Sequence, residues 1–376
     1  MNFHHMFTAW GVNPLKLTEK KQQTDKKIEY VRDYVIRWVE ISAARSDVHT
    51  VTFIDCMSNA GVYRDGDCCT AIEVLKVFCD IADRYPQKVF RILCNDNDAE
   101  KIDILKKVSL AVKTGGQNIH ICTSVSDVNA YLDKLLTNPT LYGSPIFGYG
   151  CSTILYVDPF DFGTVEIPKI SAILKRHYCE LIFNFFISDY VRNINNDQGR
   201  IQRCLGGKNI KNKDELFSYV GEMLRVGRIK HLFSYDFRIT NNVELYQIVF
   251  ATPNTRGLEV LKESLWKVFN GAEYHRNQKD TGQTSLFTAE DDQSAFLDNY
   301  AREARLILRS YFPGRTLSYA QIEEFLIERT MLGASHIIGH VLRPMIESGE
   351  MVKCGMVSSR NYKKDCYVIT GNEVPA

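Results

Sequence analysis

The stretch VTFIDCMSNAGVYRDGDCCTA at residues 51–71 decides how the rest of the chain is interpreted. A run of β-branched and aromatic residues leads into Asp55, and the small residues Ser-Asn-Ala-Gly follow at positions 58–61. This composition predicts a strand that ends in a carboxylate, followed by a tight turn in which the backbone approaches a ligand. In open α/β sheets, ligands bind beyond the carboxyl ends of the strands, near the point where strand order reverses. The stretch therefore predicts a ligand site beside Asp55.

The composition is that of a globular protein of two domains. The chain has 376 residues, of which 45% are hydrophobic and 24% charged, enough for one large and one small core. The net charge of +1 gives no global preference for nucleic acid, although a local basic patch is compatible with it. The eleven cysteines are scattered without a CxxC pair, which favours reduced thiols over a disulfide framework, a zinc site or an iron–sulfur site. No signal peptide and no membrane-length apolar run is visible, so we expect a soluble, cytoplasmic protein.

Strands and helices are predicted to alternate along the first half of the chain. The predicted strands are residues 51–55, 90–95, 118–122, 152–157 and 180–185, and the predicted helices are 24–41, 71–84, 98–111, a helix ending near 136, and 167–176. Alternation of this kind predicts a mostly parallel sheet with right-handed crossovers. Two further strands, 233–240 and 245–251, are separated by Asn241-Asn242 and predict an antiparallel hairpin. Five parallel strands followed by such a hairpin are typical of class I methyltransferases, which are Rossmann-like α/β proteins.

The predicted domains follow from this pattern. Residues 1–45 are expected to form an N-terminal arm and a helix with a solvated basic face, an interpretation favoured over a nucleic-acid contact, and 46–280 the α/β domain. Residues 195–228 interrupt the alternation and predict either an insertion over the active face or a solvated connector. A polar linker at 281–294 precedes three predicted helices, 296–311, 320–330 and 335–349, and two short strands around a basic loop. That order predicts a winged helix-turn-helix domain at 295–376.

The carboxyl ends of the first three strands supply the candidate cofactor residues. S-adenosylmethionine carries a carboxylate, an ammonium and a sulfonium, so it suits a turn with free backbone N–H groups beside an acid. Asp96, at the end of the second strand, is placed to bind ribose hydroxyls, and Ser124 follows the third strand, where Asp127 is an equally good helix cap. The predicted cofactor-binding residues are Asp55, Ser58, Asn59, Ala60, Gly61, Asp96, Asn97 and Ser124.

The segment Asp158-Pro159-Phe160 ends the fourth strand and is the candidate catalytic motif. A carboxylate, a carbonyl fixed by proline and an aromatic ring are the groups that would hold a planar acceptor for methyl transfer, with Phe162 close behind. Asn184 faces the same edge, and Asp189 and Arg192 are candidates for orienting substrate.

Two other chemistries are weighed against that motif. Cys56 and Cys151 are possible nucleophiles, but neither stands in a Pro-Cys loop, and buried inert thiols are the favoured interpretation. His336 and His340 have the i, i+4 spacing of metal ligands without a third ligand, which favours packing roles for both.

The chain resembles the three-Cys-motif partner family. The segments that carry the resemblance are FIDCMSNAGVY at 53–63, LYVDPFDFG at 155–163, LIFNFF at 181–186, FATPNTRGLEVLKESLWKV at 250–268, GRTLSYAQIEEFLIERT at 314–330 and HVLRPMIESGEMV at 340–352. The resemblance implies a methyltransferase-like fold with a C-terminal winged helix-turn-helix, and cofactor contacts from Asp55, Ser58, Gly61 and Asp96 with Asp158 facing substrate. It also implies a companion protein that carries a three-cysteine motif, of radical S-adenosylmethionine type.

Two functional hypotheses follow. The first is an S-adenosylmethionine-dependent methyltransferase that acts on nucleic acid or on a target bound to nucleic acid. The second is a non-catalytic module with the same fold that binds a partner protein or DNA; the scarcity of glycines between Asp55 and Gly61 supports it.

Overall fold

The computed structural model describes residues 2–113, 115–141, 143–160, 163–185, 190, 193, 197–239, 243–269, 274–275, 289–354 and 362–370. These residues form two compact units. The first comprises the described residues up to Gly257 together with residues 274–275, and the second begins at Leu258 and includes everything described from 289 onward. The second unit therefore starts upstream of the predicted linker. No described helix combines the length and the apolar composition needed to cross a membrane.

The first unit is built on one eight-stranded sheet. Its strands are β1 (Thr50–Asp55), β2 (Val89–Asp96), β3 (Ile119–Val125), β4 (Cys151–Val157), β5 (Glu180–Phe185), β6 (His231–Ile239), β7 (Val243–Thr252) and β8 (Tyr274–His275). Their order across the sheet is β8-β6-β7-β5-β4-β1-β2-β3. Among the described strands of this sheet, only β7 runs antiparallel to its neighbours. The predicted parallel sheet and terminal hairpin are confirmed, while the hairpin turn at Asn241-Asn242 lies outside the described residues.

The helices of the first unit flank this sheet. They are α1 (Gln22–Ala44), α2 (Thr70–Ala82), α3 (Ala99–Val112), α4 (Val128–Thr137), α5 (Ile167–Arg176), α6 (Gln198–Cys204) and α7 (Lys213–Leu224). Every residue of β1 and β5 is buried, as expected for parallel strands covered on both faces. Strand order reverses between β1 and β4, so the first unit has its topological switch point at the carboxyl end of β1.

The segment after β5 belongs to the core of the first unit. Ile201, Leu205, Leu216 and Val220 are buried in the same apolar cluster as the residues of α5, and α7 packs against α5. The expectation of a solvated connector is therefore wrong, because the apolar side chains of this segment are buried in the cluster that includes helix α5. No described residue tests the alternative that the segment lies over the active face.

The second unit combines helices with a three-stranded antiparallel sheet. Its helices are α8 (Thr255–Phe269), which belongs to this unit from Leu258 onward, α9 (Ala289–Tyr311), α10 (Tyr319–Arg329) and α11. Helix α11 is a helical run of Ala334–His336, Ile337–Leu342 and Arg343–Glu347, and its middle segment has π-helical geometry. Its strands are β9 (Thr316–Ser318), β10 (Met351–Cys354) and β11 (Cys366–Ile369), with β11 in the centre. Helix α9 begins inside the predicted linker, so residues 289–293 are helical and not a linker.

Helix α10 has well-defined ends. Its N-terminus is closed by a capping box, in which the Ser318 hydroxyl accepts from the Gln321 backbone N–H and the Gln321 side chain accepts from the Ser318 backbone N–H. Beyond its C-terminus the Lys262 ammonium of α8 donates to the carbonyls of Ile327, Thr330 (2.5 Å) and Leu332 (3.3 Å). Lys262 is fully buried, and burial lowers its pKa to about 7. This lysine therefore satisfies carbonyl groups that the end of a helix leaves without partners.

We expect Lys262→Met to destabilise the second unit by about 2–4 kcal/mol, because an apolar side chain of similar length leaves the buried carbonyls unpaired. Urea unfolding followed by circular dichroism measures the loss. The matched control is Lys267→Met on the same helix, whose side chain is exposed, and it should change the free energy of unfolding by less than about 0.5 kcal/mol. Equal stabilities for the two variants would contradict the role assigned to Lys262.

Candidate functional site

Three carboxyl groups meet at the switch point of the sheet. Asp55 ends β1, Asp96 ends β2, and Asp158 follows β4 directly. Strand β1 lies between β2 and β4 in parallel register, so its neighbours bring their carboxyl ends to the same edge. Asp55 and Asp96 are 2% and 4% exposed, and the Asp158 side chain is 25% exposed. The three acids therefore lie at one edge of the sheet, where the sequence predicts them.

The buried carboxyl of Asp55 has a raised pKa. Burial, together with the negative charges of Asp158 and Asp96, raises the pKa of this carboxyl to about 8, against the hydrogen bond that the Met57 backbone N–H donates to Asp55 Oδ1 (3.1 Å) and the charge of Lys27. Because burial disfavours the ionised form, a cation brought close to Asp55 would favour it. The site is consequently suited to a ligand that brings a cation.

The turn at residues 58–61, in the loop after β1, takes left-handed backbone conformations at two positions. Gly61 has a φ of +79°, and Asn59, with a φ of +56°, is the one non-glycine residue with positive φ among the described residues. Asparagine is one of the few side chains that tolerate this region, because its amide bonds to the local backbone; here Asn59 Oδ1 accepts from the Ala60 N–H (2.9 Å). A Cβ at Gly61 would lie 3.4 Å from the Leu105 backbone. Asn59 thus replaces a glycine in this turn without changing its shape.

Asp96 fastens this loop to β2. Its Oδ2 accepts from the Asn59 backbone N–H (3.0 Å), and its Oδ1 accepts from the Asp98 N–H (3.0 Å). Ser58 donates both its backbone N–H (2.8 Å) and its hydroxyl (3.2 Å) to the Asn95 carbonyl. The loop and the end of β2 are therefore held as one preorganised unit, with Asp96 at its centre.

The remaining predicted cofactor residues lie at the rim. Asn97 is exposed, Ala60 is buried, and Ser124 lies half-buried within β3, beside Asn95 in register. Ser124 is thus a strand residue, and Asp127 is the N-cap of α4. The structure brings Asn97 and Ser124 to the same edge of the sheet as Asp96 and gives neither a contact with it.

Asp158 is held in an ion pair that the sequence analysis did not foresee. The Lys27 ammonium of α1 donates to both carboxylate oxygens, at 2.7 and 2.8 Å, and the Tyr156 hydroxyl donates to Oδ2 at 3.2 Å. The Lys27 side chain is only 14% exposed, so the expectation that it lies on a solvated basic face is wrong. Helical periodicity assigned it to the polar side of α1 but carries no information about a partner on another element.

Behind this ion pair lies a buried polar network. The Tyr30 hydroxyl donates to Asn184 Oδ1 (3.3 Å), and Asn184 Nδ2 donates to the Tyr156 hydroxyl (3.3 Å). All three side chains are at most 1% exposed, and burial raises the pKa of both tyrosines. The network links α1, β4 and β5 to Asp158 and fixes the orientation of that carboxylate. Asn184 was predicted at this edge, whereas Tyr30 and Tyr156 were not recognised.

Pro159 and Phe160, the other residues of the predicted motif, differ in exposure. Pro159 is buried, and Phe160 is 56% exposed with the Lys101 ammonium 5.5 Å from its ring centre. Phe162, Asp189 and Arg192 lie outside the described residues. Burial raises the pKa of the Cys56 and Cys151 thiols, which disfavours either as a nucleophile.

The N-terminal arm contacts the turn at residues 58–61 that follows β1. Thr18 exchanges hydrogen bonds with the Asn59 side chain, and its carbonyl accepts from the Arg64 backbone N–H (3.0 Å). Lys20 pairs with Asp67 (2.6 Å) and with Asp25. The arm therefore contacts the turn at residues 58–61 and the residues that follow it.

His336 and His340, whose spacing is that of metal ligands, lie in the second unit. His336 packs edge-on to Trp266 with ring centres 4.9 Å apart, and its Nδ1 accepts from the Gly333 N–H (3.2 Å). Within the part of the chain that the structure describes, no cluster of three or more metal-ligating side chains occurs. His336 has a packing role, as favoured from sequence.

The strand order and the site define a class of protein. A mostly parallel sheet with one antiparallel strand beside β5 and carboxylates at its switch point is a class I methyltransferase-like, Rossmann-like fold. No family model matches the chain, and no curated protein matches it.

Three similar solved structures are methyltransferases or bind the methyl donor. Trm1 from Pyrococcus horikoshii, in complex with S-adenosyl-L-methionine, is 11% identical with a TM-score of 0.34, covering 67% of this chain and 62% of that chain. The magnesium protoporphyrin IX methyltransferase from Synechocystis PCC 6803, with bound SAH, is 11% identical with a TM-score of 0.32, and the match covers 66% of this chain and 95% of that chain. A SAM-dependent methyltransferase from Agrobacterium tumefaciens is 8% identical with a TM-score of 0.32, and the match covers 59% of this chain and 62% of that chain. The chain thus spans less than two thirds of the first and third, and similarity this low carries no argument about activity.

Asp55→Asn should alter how stability depends on pH. The unfolded chain releases this proton near pH 4 and the folded chain near 8, so the folded state binds more protons in between and loses stability as pH rises through that window. Asparagine keeps the acceptor for Met57 and removes the titration, so the variant should gain about 1–3 kcal/mol on wild type between pH 5 and 8. Urea unfolding at both pH values measures this difference; Asp127→Asn, an exposed cap, should show none.

A double-mutant cycle tests the Lys27–Asp158 pair. Lys27→Ala leaves a largely buried carboxylate without its ammonium and should lower the free energy of unfolding by about 2 kcal/mol, whereas the same change in an Asp158→Asn background should cost much less. We expect a coupling energy of about 1–3 kcal/mol. The exposed pair Lys106–Asp103 on α3 is the matched control, with an expected coupling below about 0.5 kcal/mol. Equal couplings for both pairs would refute the buried ion pair.

Proposed function

We propose that this protein is an S-adenosylmethionine-dependent methyltransferase that acts on nucleic acid or on a target bound to nucleic acid. The observation that carries the proposal is the carboxylate cluster at the switch point, in which burial and two neighbouring carboxylates raise the pKa of Asp55 to about 8. S-adenosylmethionine brings an ammonium and a sulfonium to such a site. Its binding would favour the ionised form of Asp55 and offset the burial of that carboxyl.

The residues present fit this cofactor. The turn at 58–61, with left-handed Asn59 and Gly61, lies at the carboxyl end of β1, where Asp55 would hold the ammonium. Asp96 would accept hydrogen bonds from the ribose hydroxyls, Ser124 would lie on the adenine side, and Asn97 is a further candidate contact. When bound, the cofactor supplies an electrophilic methyl group.

The acceptor side of the site is proposed to lie at Asp158. Its two oxygens hold the Lys27 ammonium in a bidentate arrangement, which supports the view that this carboxylate accepts N–H groups of an incoming amine. Tyr156 and Asn184 would keep the carboxylate oriented while the acceptor loses its proton to it or to solvent. Pro159 and the exposed ring of Phe160 would form the flat surface beside the acceptor.

The second unit is proposed to dock the target. Helices α9, α10 and α11 followed by the β10–β11 pair are the elements expected of a winged helix-turn-helix, which places a helix on nucleic acid or protein. The family resemblance adds a companion protein with a three-cysteine motif, of radical S-adenosylmethionine type, as the proposed partner.

A non-catalytic binding module is the second candidate. The observation that favours it is the state of the acids: both oxygens of Asp96 already accept backbone N–H groups at 4% exposure, and Asp158 is already paired with Lys27. In that case the fold and the second unit mediate contacts with a partner protein or DNA, and the edge of the sheet holds no cofactor.

Titration calorimetry with S-adenosylmethionine decides between these candidates. We expect the wild-type protein to bind, and Asp96→Ala to weaken binding by at least tenfold, since a hydrogen-bonded carboxylate contributes about 1.5–3 kcal/mol. Asp103→Ala, an exposed acid on α3, should bind like wild type. No binding by the wild type, or undiminished binding by Asp96→Ala, would overturn the proposed function.

A further inference from the structure

Two cysteines face each other across the strand pair of the second unit. The register of β10 and β11 aligns Met351 with Ile369 and, at the other end of the pair, Cys354 with Cys366. In an antiparallel pair, directly opposed side chains lie on the same face of the sheet, because side chains alternate with a period of two. The two thiols therefore share one face at the point where the strands separate.

That face is the solvent side of the sheet. Tyr367 and Ile369 are fully buried on the opposite face, while Cys366 is exposed and Cys354 is half-buried. Val352, on the same face as Cys354, is 51% exposed. Both thiols are thus accessible to a small reagent without unfolding of the unit.

The other nine cysteines lie in different surroundings. Seven are buried and two half-buried, and none of them is exposed. Burial raises the pKa of the Cys69 and Cys179 thiols to about 12 and raises that of Cys94 as well. Reactive thiolates are disfavoured at such positions, so an oxidant added to the folded protein meets Cys354 and Cys366 first.

The opposed positions are within reach of a covalent bond. Directly paired residues of an antiparallel ladder have Cα atoms about 4.5–5.5 Å apart, and disulfides span Cα separations of about 4.4–6.8 Å. The strand pairing itself supplies this approach, and the Lys353–Asp365 ion pair (2.5 Å) fastens the same end of the hairpin from neighbouring positions. Bond formation therefore requires side-chain rotation and no change of register.

We propose that Cys354 and Cys366 form a redox-sensitive dithiol site that reacts with low-molecular-weight disulfides of the glutathione type. One thiolate attacks the glutathione disulfide, forming a mixed disulfide and releasing one glutathione thiolate. The second cysteine, after losing its proton to solvent, attacks the protein sulfur of the mixed disulfide and releases the second glutathione. The protein loses two protons and two electrons, and one glutathione disulfide is reduced to two thiols.

The bond would join the two ends of the sequence segment 355–365, which contains Arg360, Lys363 and Lys364. Cross-strand disulfides that are exposed to solvent are reduced readily, in contrast to buried structural ones. The site is therefore suited to reversible control of the basic end of the second unit. This inference does not depend on the proposed function, since it needs neither the cofactor nor the carboxylate cluster.

Peptide mapping of the full-length protein tests the proposal. Reduced wild-type protein is exposed to glutathione disulfide under native conditions, alkylated, denatured, alkylated again with an isotopically distinct reagent and digested with trypsin. We expect a disulfide joining the peptides 354–360 and 365–376, which trypsin separates at Arg360, Lys363 and Lys364. The other nine cysteines should carry the second alkylating label.

Single substitutions provide the controls. Cys354→Ser and Cys366→Ser should each abolish the crosslink and leave a glutathione adduct on the remaining thiol, while Cys79→Ser, at a half-buried cysteine of α2, should leave the crosslink unchanged. A wild-type protein that acquires only glutathione adducts, or a crosslink that uses any other cysteine, would overturn the proposal. So would failure of either thiol to react.

Discussion

The confinement of three carboxyl groups at one edge of a buried sheet is the constraint on which the site depends. Parallel register places Asp55, Asp96 and Asp158 together, and each of the three is accommodated differently. Asp158 takes the ammonium of Lys27, and the buried Asp55 carboxyl has its pKa raised to about 8. Asp96 accepts two backbone N–H groups, whose partial positive charges face it without a counterion. The hydrogen bond from the Asn59 N–H to Asp96 also holds the turn at residues 58–61 in place.

Helix α1 is joined to the sheet by polar contacts as well as apolar packing. Lys27 bonds to Asp158, Tyr30 to Asn184, and the Tyr34 hydroxyl to Glu180 (2.5 Å). Each contact joins one turn of the helix to a different position along β4 and β5. Buried bonds of this kind are costly when broken and directional when made, so they fix the rotation of α1 about its axis. The Asp158 carboxylate is positioned by the same contacts that position the helix.

Much of the fold was predictable because local pattern decides it. Runs of β-branched residues such as those at 51–54, each followed by an amphipathic helix, specify parallel strands whatever the rest of the chain does. Acids at strand ends were also visible, so Asp55, Asp96 and Asp158 were found. Lys27 and Tyr30 were not, because their partners lie 131 and 154 residues away and helical periodicity describes one element at a time. The positive φ of Asn59 was not visible either, because a count of glycines carries no information about the backbone conformation of other residues.

The bonds that Lys262 makes carry a consequence for synthesis on the ribosome. Helix α8 is translated directly after β7, yet the carbonyls that its lysine holds come 65 to 70 residues later. Until that part of the chain emerges from the ribosome, Lys262 and the apolar face of α8 lack residues 327–332, to which Lys262 donates in the folded protein. The second unit therefore cannot complete its core during the translation of the first. A fragment that stops between α8 and α9 would retain this helix and lack the residues that it bonds.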